Sequence, residues 1–182
     1  MVAFTQQIIR VNNMSNSSDA LIAEAEKWIG VKELTNHNDG LEVEMFQKAV
    51  DGKAQGESWC MGFVQFCLQQ AENKLGLRSN MYHSEHCLTV WNKTPKEMQR
   101  IHADPGCVVI WQHGDTTQGH TGIVTELLDA DNFATIEGNT GDGLGIVRDG
   151  DGVYRRTRSI HGAGTMKVLG FIDPFCELVI EG

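Results

Sequence analysis

At 182 residues the chain has the length of one ordinary domain, enough to bury a core without disulfides or a metal. Its 15 lysines and arginines stand against 24 aspartates and glutamates, a formal charge of -9, which disfavours nucleic acid and anionic membranes as partners. Hydrophobic residues at 41% exclude a disordered chain, and no apolar run approaches the roughly 18 to 20 residues of a membrane span. The first residues lack the apolar run of about 7 to 15 residues that a secretory signal carries. Asn12 to Ser18 is polar, so residues 1–18 are expected as a flexible arm before a single domain over 19–182. Five cysteines, Cys60, Cys67, Cys87, Cys107 and Cys176, form an odd, scattered set that reads as reduced thiols.

Ser18 or Asp19 is placed to cap a first helix with apolar positions Leu21, Ile22, Ala25, Trp28 and Ile29, ended by Gly30. Asp39, with Glu42 three residues on, resembles a capping box before a second helix whose stripe is Leu41, Met45, Phe46, Ala49 and Val50. A third helix starts near Ser58 and carries Cys60, Phe63, Val64, Cys67, Leu68, Ala71 and Leu75 at helical spacing, with Gly76 at its C-cap. Beyond Asp104-Pro105-Gly106 the pattern turns to short β-branched runs bounded by glycine. Strands are predicted over Cys107–Trp111, His120–Leu127, Phe133–Thr140, Val153–Thr157 and Val168–Ile172, with a glycine-rich loop in Gly138–Gly152. Links this short favour an antiparallel sheet of five to six strands. Helices followed by strands give an α+β domain with the N-terminal helices packed on that sheet.

Amide hydrolysis by a thiol requires a thiolate, a histidine that takes and returns the proton, and a third group that fixes the histidine tautomer. Cys60, in the first turn of the third helix, would have its thiolate stabilised by free backbone N–H groups and the positive end of the helix dipole. His120 opens a strand between Gly119 and Gly122. Glu137 and Asn139 are two apart on the next strand and are expected on one face, where either can orient His120. Trp59, beside Cys60, either lines a substrate groove or anchors the helix to the core. Arg155, in the run Arg155, Arg156, Arg158, either meets substrate carboxylates at a cleft rim or is ion-paired on the surface. His83, His86 and Cys87 have spacing that suggests zinc, but without a second ligand pair they read as helix or loop surface.

In this order, Ser58-Trp59-Cys60-Met61-Gly62-Phe63-Val64, Gly119-His120-Thr121-Gly122-Ile123-Val124 and Glu137-Gly138-Asn139-Thr140 resemble the CHAP domain, the cysteine- and histidine-dependent amidohydrolases and peptidases. The resemblance extends over about residues 19 to 175 and includes Gly152 to Arg158 and Gly170 to Asp173. It implies a papain-like CHAP fold and cleavage of a peptidoglycan amide bond, by an N-acetylmuramoyl-L-alanine amidase or a stem or cross-bridge endopeptidase, in the manner of a phage-type lysin. It implies Cys60 as nucleophile, His120 as general base and acid, and Glu137 with Asn139 orienting the histidine, Glu137 being the first choice. Some relatives carry an aspartate-rich calcium loop near the nucleophile; Asp51 to Ser58 offers only Asp51 and Glu57, so no metal and no cofactor is expected. The partner implied is peptidoglycan, with no nucleic acid, no membrane insertion and a monomeric state. Synthesis in the cytoplasm without a signal peptide, and action on the wall or periplasm after release or delivery, complete the expectation. A secreted antibacterial amidase toxin and a non-catalytic wall-binding module of the same fold are the alternatives.

Overall fold

The computed structural model describes residues 16–142 and 150–176. Most of the expected N-terminal arm, residues 1–15, and part of the glycine-rich loop, residues 143–149, lie outside the described residues. The chain is already helical at residue 16: α1 covers residues 16–26, with Ser17 buried. The boundary expected at residue 18 therefore falls inside the helix. Ser18 sits against Gly106, where a Cβ would meet its side chain at 2.5 Å, so this first turn packs on the turn that precedes the sheet.

Helix α2 spans Leu41–Asp51. Its N-cap is Gly40, with φ 114 and no side-chain cap, rather than a capping box from Asp39. The Asp39 carboxylate instead accepts the Thr35 N–H at 2.8 Å and the Thr35 hydroxyl at 2.7 Å. The buried face also differs from the expected stripe, because Leu41 is 72% exposed while Val43, Phe46 and Gln47 point inward. Gln47 faces the core because its Nε2 donates to Asn38 O at 3.1 Å and Glu57 O at 2.8 Å. Those two bonds fix the loop that leads into the next helix.

Helix α3, Cys60–Leu75, begins at Cys60 and is closed by Gly76 in the left-handed conformation, φ 66, as its sequence predicts. It packs between α2 and the sheet, on β3 and β4. Helix α4, Cys87–Lys93, is a further element that the sequence pattern does not announce. It has seven residues, two of them buried, too few for a stripe, and its end at Thr94 precedes Pro95.

Six antiparallel strands follow: β1 Gln99–Arg100, β2 Val108–His113, β3 Gly119–Leu127, β4 Asn132–Thr140, β5 Gly152–Ser159 and β6 Met166–Ile172, in the order β1-β6-β2-β3-β4-β5. The five predicted strands are present with ends shifted by one or two residues. The two-residue edge strand β1 is the addition. Alternation along the strands divides the interior: Val108, Ile110, Ile123, Ile136 and Ile172 face the helices, while Val109, Trp111, Val124, Phe133 and Phe171 form a second cluster. Among the described residues no helix is long and apolar enough to cross a membrane.

Gly138 sets the distance between α3 and the sheet. A Cβ there would lie 2.7 Å from both Phe63 Cβ and the Trp59 ring. Gly138→Ala is expected to destabilise the fold by about 1–3 kcal/mol through overpacking, read as a lower urea midpoint; an unchanged midpoint would show that helix and sheet separate without cost.

Candidate active site

Cys60 is the first residue of α3, so the N–H groups of this turn have no acceptor within the helix. The thiol is buried but lines an open cleft of about 710 Å³, together with Ser58, Cys87, Gln118, His120 and Asn139. Its pKa is held well below the ordinary 9.0 first by a hydrogen bond from the Cys87 thiol, whose sulfur lies 3.8 Å away, then by the hydrogen bond and charge of His120 and by the Met61 N–H; burial opposes these and is outweighed.

His120 lies near the start of β3, opposite Trp111 in register and stacked on it at 5.6 Å. Its Nε2 is engaged with Glu137 Oε2 at 2.9 Å, which leaves Nδ1 for the thiol. Burial alone would lower the His120 pKa, but the hydrogen bonds and charges of Cys60 and Glu137 hold it up at about 9. A thiolate and an imidazolium are therefore the favoured pair near neutral pH.

Glu137 is wholly buried, yet remains ionised. Burial pushes its pKa up, and Arg158 and His120 together overcome that and bring it to about 2. Its Oε1 accepts the Thr135 hydroxyl at 2.6 Å and Arg158 Nε at 2.7 Å, while Oε2 accepts Arg158 Nη2 as well as the histidine bond. Phe133, Thr135 and Glu137 alternate onto one face of β4, and β5 places Arg158 directly across from Phe133. Gly122 makes the space: a Cβ there would stand 2.5 Å from Glu137 Cγ. The glycine beside the histidine thus accommodates its carboxylate partner.

Of the residues read from sequence, Cys60, His120 and Glu137 converge. Asn139 reaches the cleft, but its φ of 52 and the register shift after Glu137 break the strand alternation. With its amide oriented to satisfy both neighbours, Nδ2 donates to Gly150 O at 2.9 Å and Oδ1 accepts the Trp59 N–H at 3.3 Å. Asn139 therefore ties the start of α3 to the β4–β5 connection, and the histidine bond belongs to Glu137. Trp59 does not line the groove. It is fully buried, stacked on Phe46 at 5.6 Å, with Nε1 donating to Glu33 Oε1 at 2.9 Å. Arg155 is not among the residues lining the cleft and pairs with Glu26 on the surface. His83 has both ring nitrogens engaged, with Gln65 Oε1 and Val50 O, and among the described residues no three histidine, cysteine or acidic side chains cluster as metal ligands.

Arg158, Thr135 and Cys87 hold places at the site that the sequence did not assign to them. Arg158 is the main counter-charge of a buried carboxylate, so Arg158→Ala is expected to destabilise the fold by about 3–5 kcal/mol. Acid unfolding should also begin at higher pH. Urea titrations at two pH values check both; a loss below about 1 kcal/mol, the range of an exposed ion pair, would mean that Glu137 finds another partner.

Residues 52–139 match the model of the CHAP domain, and this span contains Cys60, His120, Glu137 and Asn139. No curated protein and no solved structure matches the chain. That match, over residues 52–139, is joined to an α+β fold of N-terminal helices on a six-stranded antiparallel sheet; over this segment the chain is similar to the CHAP domain family, whose members are generally hydrolases of the amidase and peptidase type.

Proposed function

We propose that this protein is a cysteine amidohydrolase that cleaves an amide bond of peptidoglycan, with Cys60 as nucleophile, His120 as proton carrier and Glu137 as the group that orients and charges the histidine. The observation that supports this most is the continuous line from the helix-start thiol through His120 to a buried carboxylate fixed at 2.9 Å and neutralised by Arg158. The Cys60 thiolate attacks the carbonyl carbon. The oxyanion develops against the N–H groups at the start of α3, Cys60 N–H among them. Ser58 lines the cleft beside them and is the better placed of the upstream polar residues to add a donor, since Gln55 is not part of the cleft lining. His120 protonates the leaving amine as the tetrahedral intermediate collapses, then activates the water that releases the acyl group. The domain acts as a monomer delivered to the wall after synthesis in a reducing cytoplasm, in the manner of a phage-type lysin.

Digestion of purified peptidoglycan and mass spectrometry of the soluble products tests the substrate class. Free stem peptides with intact lactyl-muramoyl sugar identify an amidase, and clipped stems or bridges identify an endopeptidase. A digest that releases neither removes peptidoglycan as the substrate.

A further inference from the structure

Cys87 touches the nucleophile but transfers nothing in the hydrolytic cycle. Its sulfur is 3.8 Å from that of Cys60, against about 2.05 Å in a disulfide. The fold brings the two together on purpose-built backbone: a Cβ on Gly119 would stand 2.9 Å from Cys87 Cβ and 2.7 Å from Trp111 O, so glycine at this position lets α4 settle against β3. Both sulfurs belong to residues that line the cleft, and a small solute reaches them through the substrate's entrance. The other three thiols lie elsewhere. Cys67 is within the helical core, Cys107 is in the second cluster with Val109 and Phe171, and Cys176 receives a hydrogen bond from Arg100.

We propose that Cys60 and Cys87 form a reversible oxidation site, in which a peroxide converts Cys60 to a sulfenic acid and Cys87 resolves it as a Cys60–Cys87 disulfide that holds the enzyme off until a dithiol reopens it. The first step forms a sulfur–oxygen bond and breaks the peroxide O–O bond. Cys60 sulfur is oxidised by two electrons, and the departing oxygen leaves as water or an alcohol with the proton of the His120 imidazolium. In the second step the Cys87 sulfur attacks the sulfenic sulfur. An S–S bond forms, the S–O bond breaks, and hydroxide leaves as water with the Cys87 proton, relayed by the now neutral His120. While Cys60 is a thiolate, its hydrogen bond and charge, with burial, keep Cys87 protonated. A neutral sulfenic acid removes that charge and leaves burial alone opposing loss of the Cys87 proton. Closing the sulfurs by about 1.7 Å requires side-chain rotation at the ends of two helices. The site protects the nucleophile from irreversible oxidation during passage to an oxidising compartment.

This inference requires only the Cys60 thiolate and holds whichever amide the enzyme cleaves, so its test reads mass rather than hydrolysis. The reduced full-length protein is treated with a modest excess of hydrogen peroxide, then examined intact and by peptide mapping. The expected product is lighter by about 2 Da, contains a Cys60–Cys87 cross-linked peptide, and regains alkylation at Cys60 after dithiothreitol. Cys87→Ser and Cys87→Ala are expected instead to gain about 32 Da at Cys60, as sulfinic acid that dithiothreitol does not reverse, while Cys107→Ser behaves as the parent. Sulfinic acid at Cys60 in the parent protein, a disulfide from Cys60 to another cysteine, or an unchanged mass overturns the proposal. The parent protein alone decides if the Cys87 variants fail to fold.

Discussion

Replacing Cys60 by alanine is expected to lower peptidoglycan hydrolysis by on the order of 10⁴-fold or more, because Cys60 is the cleft thiol that pairs with His120 and forms the acyl intermediate. The fold should survive the change. The sulfur borders an open cleft, so its removal leaves no closed cavity, and the helix loses no backbone hydrogen bond. Cys60→Ser is expected to fall nearly as far, since a serine hydroxyl is far harder to ionise than a thiol and does not form the resting thiolate–imidazolium pair. The pair of variants separates chemistry from packing: product release from purified peptidoglycan should vanish while thermal melting stays within a few degrees of the parent protein. Retention of more than about a tenth of the activity by Cys60→Ala would mean that another residue carries the nucleophilic step.

Glu137→Gln is expected to cost about 10²–10⁴-fold in kcat/KM, the range seen when the group orienting a catalytic histidine loses its charge. Two losses combine in this variant. The His120 imidazolium loses the neighbouring charge that helps raise its pKa, and Arg158 is left without its carboxylate. The pH profile distinguishes the first from a structural effect. In the parent protein activity is expected to rise as the Cys60 thiol ionises, well below 9.0, and to fall as His120 loses its proton near 9. The variant should lose its alkaline plateau first, with the descending limb moved toward the ordinary histidine value of 6.5. His113, which shares the cleft, is disfavoured as a cation by burial and by the His120 charge, so it does not substitute. A descending limb that stays near 9 would contradict the role of Glu137 in charging His120.

The same shifts govern stability. Glu137 is depressed from 4.5 to about 2, so its contribution is complete above about pH 4.5 and is lost as the pH falls through 2. His120 is raised from 6.5 to about 9, so its contribution is complete below about pH 6.5 and is lost as the pH rises through 9. The two windows overlap between 4.5 and 6.5, where this pair of groups stabilises the fold most.

Much of this was readable from residue order, and the exceptions have physical causes. Cys60 at a helix start, His120 at a strand start and Glu137 on an alternating strand are local features, and period and capping suffice to place them. Arg158 is different. Three arginines stand on β5, and only the register that sets Phe133 opposite Arg158 determines which of them reaches the buried carboxylate. Arg155, the candidate chosen from sequence, is directed to Glu26 by the same strand. Asn139 misleads because its left-handed backbone interrupts the alternation that grouped it with Glu137. Cys87 was hidden for a further reason, since a seven-residue helix has too few apolar positions to announce itself and its neighbour Cys60 is 27 residues away in sequence.

The most direct test of the proposed mechanism is iodoacetamide labelling of the reduced protein near neutral pH, followed site by site with mass spectrometry and in parallel by release of peptidoglycan fragments. Cys60 should be alkylated about tenfold or more faster than Cys67, Cys87, Cys107 and Cys176, and activity should disappear at the same rate. Alkylation of Cys60 no faster than the other four, or full activity in protein already alkylated at Cys60, would contradict the assignment of Cys60 as an activated nucleophile.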